Sequence, residues 1–277
     1  LAPVRELLQG QHQLLFTHGN GPQVGYILTR VEEAIGKAYK LPLEVCVAES
    51  EGEIGYVLQQ TIRNLNSGAK PVATLLTQVR VSRSDPAFQS PAKPVGPWFN
   101  QEQSAAMDRA GMALIRDSHH RGRMLVASPE PIGIVEVDII RQMLDMGIIV
   151  IAAGGGGIPV VEENGRLCGV EAVVDKDLAT ALLAIELDAE QLVFVTGVPG
   201  VYRDFETSSA QLLQRATPQE LQILATEGQF PPGTMGPKVE AALKFVQATG
   251  RSVVICQPSD LAEAVNGCRG TRIEAVI

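Results

Sequence analysis

The fold of this chain is decided by the stretch Ile148-Ile149-Val150-Ile151-Ala152-Ala153-Gly154-Gly155-Gly156-Gly157. A fully apolar run of this length is typical of a strand buried on both faces, as in parallel sheets covered by helices. The glycines that follow carry no Cβ, so their backbone N–H groups can approach a bound anion closely. The stretch therefore predicts a buried strand that leads into an anion site.

The next helix is predicted to begin with a lysine. Apolar residues recur at three- and four-residue spacing after Val174, which makes Asp175 the predicted N-cap and places Lys176 in the first turn. The helix dipole disfavours a cation there by roughly 0.3–1 kcal/mol. A helix start in which Asp175 and Asp177 neutralise Lys176 is the simpler interpretation. A bound phosphate would reverse the penalty, however, and we favour that functional role.

A second lysine has an equivalent position in the sequence. Pro237 suits the first position of a helix, so Lys238 is also predicted at a helix N-terminus. Two lysines placed against two helix dipoles are best explained by one shared anion. We therefore predict that the ammonium groups of Lys176 and Lys238 converge on a single phosphoryl group.

The composition is that of a globular α/β protein. The chain has 277 residues, 45% of them hydrophobic, and 27 glycines. A net charge of −8 leaves no basic surplus, so neither a nucleic acid nor a membrane is an expected partner. No apolar run is long enough to span a membrane and no signal peptide is recognisable, so we expect a cytoplasmic location.

Cysteine spacing predicts neither disulfides nor a metal site. The chain contains no C-x-x-C motif, and its cysteines are far apart in or beside apolar stretches. We expect reduced, buried thiols at Cys46, Cys168, Cys256 and Cys268.

Strands and helices alternate along the chain. Apolar strands are predicted at residues 13–16, 72–76, 148–153, 191–196, 252–256 and 271–277, and helices at 43–65, 135–146 and 218–227. This order predicts a three-layer α/β/α sandwich around a mostly parallel sheet, in a single domain over residues 1–277. Gly52 and Gly55 lie inside one predicted helix and indicate close packing against another backbone, for which a contact between two subunits is one explanation.

An irregular insert interrupts this alternation. Residues 80–123 contain many charges, the only tryptophan and four prolines, which is typical of a lid-like, protruding subdomain. Lys93 lies between Pro91 and Pro94. From the residues alone, we favour a solvated surface lysine.

The segment 17–25 has the order strand, glycine turn and helix that is common in phosphate sites. Its glycines at 19, 21 and 25 are one residue off the dinucleotide motif, and the chain has no P-loop motif. A tight turn between a strand and a helix explains the segment equally well.

Taken together, these segments closely resemble the carbamate kinases. Nine sequence blocks occur in the order found in that family: 17–25, 54–56, 76–79, 85–88, 93–97, 127–129, 154–159, 169–177 and 235–242. The resemblance implies the amino-acid-kinase fold, a homodimer, and reversible phosphoryl transfer from ATP to carbamate with Mg²⁺. The products are ADP and carbamoyl phosphate.

The resemblance also implies roles for individual residues. Lys176 and Lys238 match the phosphate-binding lysines of the family, and Asp177 matches the carboxylate that orients them. Lys93 matches a lysine that reaches over the substrate, which replaces the interpretation as a surface lysine. Around carbamate and the transferred phosphoryl group, the matching residues are Gly19, Asn20, Gly21, Gly154, Gly155 and Gly156. Nucleotide binding is implied for Asp175, Thr196, Gly197, Tyr202, Met235 and Gly236.

One departure from the family keeps alternatives open. The family begins with a strand and a Leu-Gly-Gly-Asn-Ala loop that this sequence lacks, about thirty residues judged by the size of a βαβ unit. We expect a truncated gene or fragment as the reason. The missing loop favours a catalytically impaired or regulatory homologue, whereas the presence of Lys176, Asp177 and Lys238 argues against one. A kinase for another small carboxylate, such as acetylglutamate, is the other alternative, and the insert with Lys93 argues against it.

Overall fold

The computed structural model describes residues 2–109, 111–231 and 233–275. The helices are α1 Ala2–Gln9, α2 Gly21–Glu33, α3 Leu43–Leu65, α4 Gln101–Arg109, α5 Val137–Asp145, α6 Lys176–Glu186, α7 Pro218–Thr226, α8 Met235–Thr249 and α9 Leu261–Val265. The strands are β1 Leu15–Phe16, β2 Val72–Thr74, β3 Gln78–Val81, β4 Lys93–Phe99, β5 Leu114–Arg116, β6 Gly122–Val126, β7 Pro131–Ile134, β8 Ile149–Ile151, β9 Ile158–Glu163, β10 Arg166–Gly169, β11 Leu192–Val195, β12 Tyr202–Arg203, β13 Gln211–Leu212, β14 Arg215–Ala216, β15 Val253–Cys256 and β16 Thr271–Ile273.

The strand β8 is buried on both faces, as its sequence predicts. It lies between β1 and β2 and pairs with both in parallel. Val150 and Ala152 pack with side chains of α5 and α6. Ile149 and Ile151 point to the other face and pack with α1 and α3. Helices therefore cover both sides of this sheet.

The sheet β11-β15-β16-β14 has the same three-layer arrangement. Phe194 and Ile255 lie in one core with side chains of α6, α7 and α8. Val254 and Cys256 lie on the opposite face with Leu261 of α9 and partly buried residues of α1. The predicted α/β/α sandwich is confirmed by these two cores.

Strand pairing is divided among several sheets rather than collected in one. The pairs β3–β9, β11–β15 and β14–β16 are parallel, in addition to the two pairs of β8. Antiparallel pairs join β3 to β7, β9 to β10 and β15 to β16. Parallel pairing predominates where strands are connected through helices, as connections of that length require.

The insert has regular structure, so its predicted irregular character is wrong. β4, β6 and β5 form a separate antiparallel sheet, and α4 packs beside it. The prolines at 94 and 97 lie in β4, an edge strand, where a residue without an N–H is tolerated. The sheet ends at Val126, beyond the predicted boundary at residue 123. Its function as a lid stays a prediction.

Close backbone contacts explain two glycines. A Cβ on Gly25 of α2 would lie 2.9 Å from Gly96 Cα. This glycine therefore lets α2 approach the sheet of β4, β6 and β5, called the small sheet below. A Cβ on Gly55 of α3 would overlap the Thr74 side chain, whose hydroxyl donates to Gly55 O at 3.0 Å. Gly55 thus serves packing within the chain. Gly52 is exposed with open space around it.

Several sequence predictions need correction. The first strand covers only Leu15–Phe16, and α8 begins at Met235, so Pro237 is not its first residue. The last strand ends at Ile273, and residues 276–277 of the predicted strand lie outside the described residues. Cys46 and Cys256 are buried as predicted, whereas Cys168 and Cys268 are exposed. Cys168 lies in β10, whose residues are all exposed, and Cys268 lies in the bend after α9, so apolar neighbours in the sequence do not imply burial at either position.

Candidate active site

The start of α6 is fixed by its own N-cap. Asp175 has an extended backbone, and its Oδ1 accepts hydrogen bonds from the N–H of Asp177 at 2.9 Å and of Leu178 at 3.4 Å. These bonds satisfy backbone donors that a helix start leaves free. As predicted, Lys176 is the first helical residue.

Two lysine ammonium groups share one buried carboxylate. Asp177 is 5% exposed, and its two oxygens accept from different lysines. Lys176 Nζ lies 2.6 Å from Oδ1, and Lys238 Nζ lies 3.1 Å from Oδ2. Small side chains of α6 pack against α8 in the core below, which brings the two helix starts together. The two ammonium groups therefore lie together, as predicted, and their action on a single phosphoryl group stays a prediction.

The electrostatics of this cluster favour a bound anion. Lys238 is 8% exposed, and burial lowers the pKa of its ammonium group. Asp177 opposes that decrease, and the charge of Lys176 adds to it. One carboxylate therefore faces two cations, both at helix N-termini. The remaining positive charge is best compensated by an anionic ligand.

Residues 154–157, called the glycine turn below, adjoin the loop that follows β1. A Cβ on Gly155 would overlap the Asn20 side chain, and Gly155 N donates to His18 O at 2.7 Å. Asn20 is itself held by Ser50 of α3, to whose Oγ its Nδ2 donates at 2.8 Å. Gly155 has φ +66°, which glycine adopts without strain. These contacts bring the predicted glycines of both loops together.

The same loops reach the lysine cluster. A Cβ on Gly19 would lie 3.2 Å from Lys176 Cδ, so the Lys176 side chain extends across the loop after β1. A Cβ on Gly156 would overlap the carbonyl oxygen of Val174, directly before the Asp175 cap. Gly21 begins α2 and has open space around it. The glycine turn, the Gly19 loop and the start of α6 therefore surround one region.

Lys93 reaches this region from the small sheet. Its Nζ donates to Asp175 Oδ2 at 2.6 Å, and its side chain is 31% exposed. The charge of Lys93 lowers the pKa of Asp175 against the effect of burial, which acts in the opposite direction. The first interpretation of Lys93 as a solvated surface lysine is wrong. Asp175 thus has two tasks, since it caps α6 and binds Lys93.

The residues predicted for the nucleoside lie directly after β11, in β12 and at the start of α8. Thr196 follows β11, and its N–H donates to Cys256 O at 2.8 Å. The Gly197 position faces open space, and the Tyr202 ring packs on Phe205 with centroids 5.5 Å apart. Met235 begins α8 and packs against the core, followed by Gly236. A nucleoside-binding role for this group stays a prediction.

Sequence reasoning missed a second set of buried groups behind the glycine turn. Glu51 and Thr77 are fully or almost fully buried there, and the His18 ring packs against Gly154. The sequence did contain a signal that could have identified Glu51. Val47, Glu51, Gly55 and Ile62 follow the spacing of the buried face of α3, so one carboxylate falls on an apolar stripe.

No metal site or membrane span is visible in the described part of the chain. Residues 2–109, 111–231 and 233–275 contain no cluster of three or more His, Cys, Asp or Glu side chains suited to a metal ion. Within the same ranges, no helix combines the length and apolar character that crossing a bilayer requires.

Comparison with known proteins identifies the family. The amino acid kinase family matches residues 2–257. A carbamate kinase of Pyrococcus horikoshii is 40% identical over 276 residues, which cover 98% of this chain and 88% of the relative. The carbamate kinase-like protein YqeA of Escherichia coli is 42% identical over 275 residues, with 97% and 89% covered.

Comparison with solved structures points to the same family. The carbamate kinase of Giardia lamblia bound to AMP-PNP superimposes with a TM-score of 0.93 at 36% identity, covering 99% of this chain and 89% of that one. An N-acetylglutamate synthase of Neisseria gonorrhoeae has a TM-score of 0.56 at 17% identity, covering 100% of this chain and 55% of that one, and so shares the fold alone. By sequence and structure, this chain belongs to the amino acid kinase family, and its similarity within that family is to the carbamate kinases.

Proposed function

We propose that this protein catalyses reversible phosphoryl transfer between ATP and carbamate, giving ADP and carbamoyl phosphate. The observation that carries the proposal is the pair of ammonium groups on Asp177, at the starts of α6 and α8. Relatives named carbamate kinase at about 40% identity over nearly the whole chain support the choice of substrate.

The chemistry follows from the charges. A carbamate oxygen attacks the γ-phosphorus while the bond from that phosphorus to the β–γ bridging oxygen breaks, and ADP leaves. Carbamate is already an anion, so no general base has to remove a proton. The transferred group needs mainly positioning and positive charge. Each ammonium group has three N–H donors, so Lys176 and Lys238 can bind phosphate oxygens while still bonded to Asp177.

Other residues complete the proposed site. The glycine turn at residues 154–157 carries no side chains, which leaves room for a phosphate beside the two lysines. Lys93, held beside the α6 start by Asp175, binds carbamate from the side of the small sheet. Thr196, Gly197, Tyr202, Met235 and Gly236 bind the nucleoside.

The described residues contain no group of three or more His, Cys, Asp or Glu side chains suited to Mg²⁺, and both carboxylates near the lysines are engaged in ion pairs. Mg²⁺ is commonly bound through substrate phosphates and water with few protein ligands. We propose that it enters with the nucleotide, and we assign it no step of the reaction. A cytoplasmic location is likewise part of the proposal.

A coupled assay tests the function directly. The purified protein is supplied with ADP and carbamoyl phosphate, and ATP formation is followed with hexokinase and glucose-6-phosphate dehydrogenase. We expect ATP to form. A parallel reaction contains ATP and acetylglutamate, for which we expect no ADP formation. Absence of ATP with carbamoyl phosphate, or turnover of acetylglutamate, would contradict the proposal.

A further inference from the structure

Glu51 is a buried carboxyl group to which the proposed reaction gives no role. It lies in α3 and is 1% exposed. Its Oε2 accepts a hydrogen bond from Thr77 N at 2.9 Å. Its Oε1 is also buried and has no hydrogen-bond partner among the residues that the structure describes. A buried polar atom without a partner costs free energy, which suggests that this residue serves function.

Thr77 connects Glu51 to both ends of the glycine turn. Thr77 is 0% exposed. Its Oγ1 accepts from Ala153 N at 2.8 Å, directly before the turn, and its carbonyl oxygen accepts from Ile158 N at 2.8 Å, directly after it. Ala153 has φ +50°, a conformation that an alanine adopts only under constraint. The hydrogen bonds of Thr77 supply that constraint.

Glu51 also contacts the turn itself. A Cβ on Gly154 would lie 3.2 Å from Glu51 Cγ and would overlap the His18 ring. Glu51 and His18 therefore fill the space directly behind the first glycine. Both lie on the side of the turn where α3 and the loop after β1 pack, so a movement of either side chain is transmitted to the backbone of residues 154–157.

We propose that Glu51 is a positioning residue for phosphoryl transfer, which fixes the glycine turn through Thr77 and through its contact with Gly154. The inference rests on the proposed function, because it gives the turn the task of binding phosphate. In this role Glu51 acts through the turn and not directly on the nucleotide or carbamate. It determines where the backbone of the turn lies, and so how closely the turn fits against the phosphate.

The charge of Glu51 should therefore affect phosphate binding. Burial raises the pKa of Glu51 to about 8, and the charge of Glu136 before α5 adds to the increase, while the N–H groups of Thr77 and Gly154 oppose it. His18, whose ring also packs against Gly154, has a pKa lowered by burial. At neutral pH both side chains are uncharged. Above pH 8 a carboxylate forms behind the turn and repels the phosphate in front of it.

The variant Glu51→Gln separates position from charge. Glutamine keeps an oxygen for the Thr77 N–H and cannot ionise. In the wild type we expect the KM for carbamoyl phosphate to rise by roughly 25-fold between pH 7.5 and pH 9.5, because only the form with neutral Glu51 binds well. In Glu51→Gln we expect the KM to match the wild type at pH 7.5 and to lack this rise. Glu53→Gln, an exposed position on the same helix, is the control and should follow the wild type.

Hydrogen exchange tests the positioning role without reference to activity. In Glu51→Ala the Thr77 N–H loses its acceptor, so we expect amide exchange in residues 153–158 to become at least several-fold faster at pH 7, while Glu51→Gln stays at the wild-type rate.

The two proposals fail in different ways. A wild type that forms no ATP from carbamoyl phosphate overturns the proposed function, and the exchange comparison still decides whether Glu51 holds the turn. Unchanged exchange in Glu51→Ala, or a Glu51→Gln variant that keeps the wild-type rise of KM with pH, overturns the role of Glu51.

Discussion

At the scale of single residues, the site depends on aspartates that each do two things. Asp177 binds Lys176 with one oxygen and Lys238 with the other. Asp175 caps α6 with Oδ1 and binds Lys93 with Oδ2. A carboxylate with two usable oxygens can join a lysine from a distant part of the chain to a fixed backbone position. Lys93 and Asp175 are separated by 82 residues in sequence.

The two tasks of Asp175 can be separated by substitution. Asparagine caps helices about as well as aspartate but cannot form an ion pair with Lys93. We expect Asp175→Asn to keep the wild-type stability and to raise the KM for carbamoyl phosphate as much as Lys93→Ala does. Asp175→Ala should show the same KM and also lose about 1 kcal/mol of unfolding free energy with the cap.

Steady-state kinetics and urea unfolding of the three variants check this prediction. A wild-type KM in both Asp175→Asn and Lys93→Ala would show that the ion pair has no part in binding. A loss of stability in Asp175→Asn equal to that in Asp175→Ala would contradict the separation of the two tasks.

At the scale of elements, the glycine turn is shaped by what packs against it. Gly155 has φ +66°, and a side chain there would collide with Asn20. Gly165, in the turn between β9 and β10, has φ +73° but open space around it. Both positions therefore have the positive φ that favours glycine, but only Gly155 lacks room for a side chain.

This pair of glycines allows a matched prediction. Gly165→Ala should cost about 1 kcal/mol for its backbone conformation and leave turnover unchanged. Gly155→Ala should cost more, by roughly 1–3 kcal/mol, and should lower kcat strongly because the displaced Asn20 disturbs both loops. Thermal unfolding and the coupled assay measure the two effects. Equal behaviour of the two variants would show that the contact with Asn20 is unimportant.

Elements whose signals are local could be predicted from the sequence. α3 has the predicted bounds, and α6 begins at the predicted residue, because apolar spacing and a cap fix both. The lysine pair could be predicted because each lysine is anomalous in its own helix. The start of α8 was misplaced, since Pro237 is also acceptable within a first turn.

Features that depend on distant partners could not be predicted from the residues alone. The strand character of β4 comes from pairing with β6, which outweighs its prolines. The contact of Lys93 with Asp175 and the position of Glu51 beneath the glycine turn arise only when separate segments pack together. The family resemblance anticipated the importance of Lys93, and the family match confirms that resemblance.

At the scale of the whole molecule, exposed apolar side chains on α2 and α3 favour a homodimer. The two helices pack on each other through Ile27, Val31 and Cys46. Tyr26 on α2 is 66% exposed, and Tyr56 and Val57 on α3 are 64% and 54% exposed. Large exposed apolar groups on neighbouring helices are typical of subunit contacts.

We predict that a charge placed on this surface dissociates the dimer. Val57→Arg should sediment as a monomer at micromolar concentration, whereas the wild type should sediment as a dimer. Ile223→Arg, on the equally exposed outer surface of α7, is the control and should remain dimeric. Analytical ultracentrifugation measures all three proteins. A monomeric wild type, or a dimeric Val57→Arg variant, would contradict the prediction.

The central claim is that Lys176 and Lys238 act on one phosphoryl group, and a double-mutant cycle tests it most directly. Turnover of ADP and carbamoyl phosphate is measured for Lys176→Met, Lys238→Met and the double variant, with Lys244→Met on the outer surface of α8 as the control. Each single change should reduce kcat by roughly 100- to 1,000-fold, as for loss of one transition-state donor. The double variant should lose far less than the product of the two factors, because the lysines act as a unit. Wild-type turnover in either single variant, or losses that simply multiply, would contradict the account.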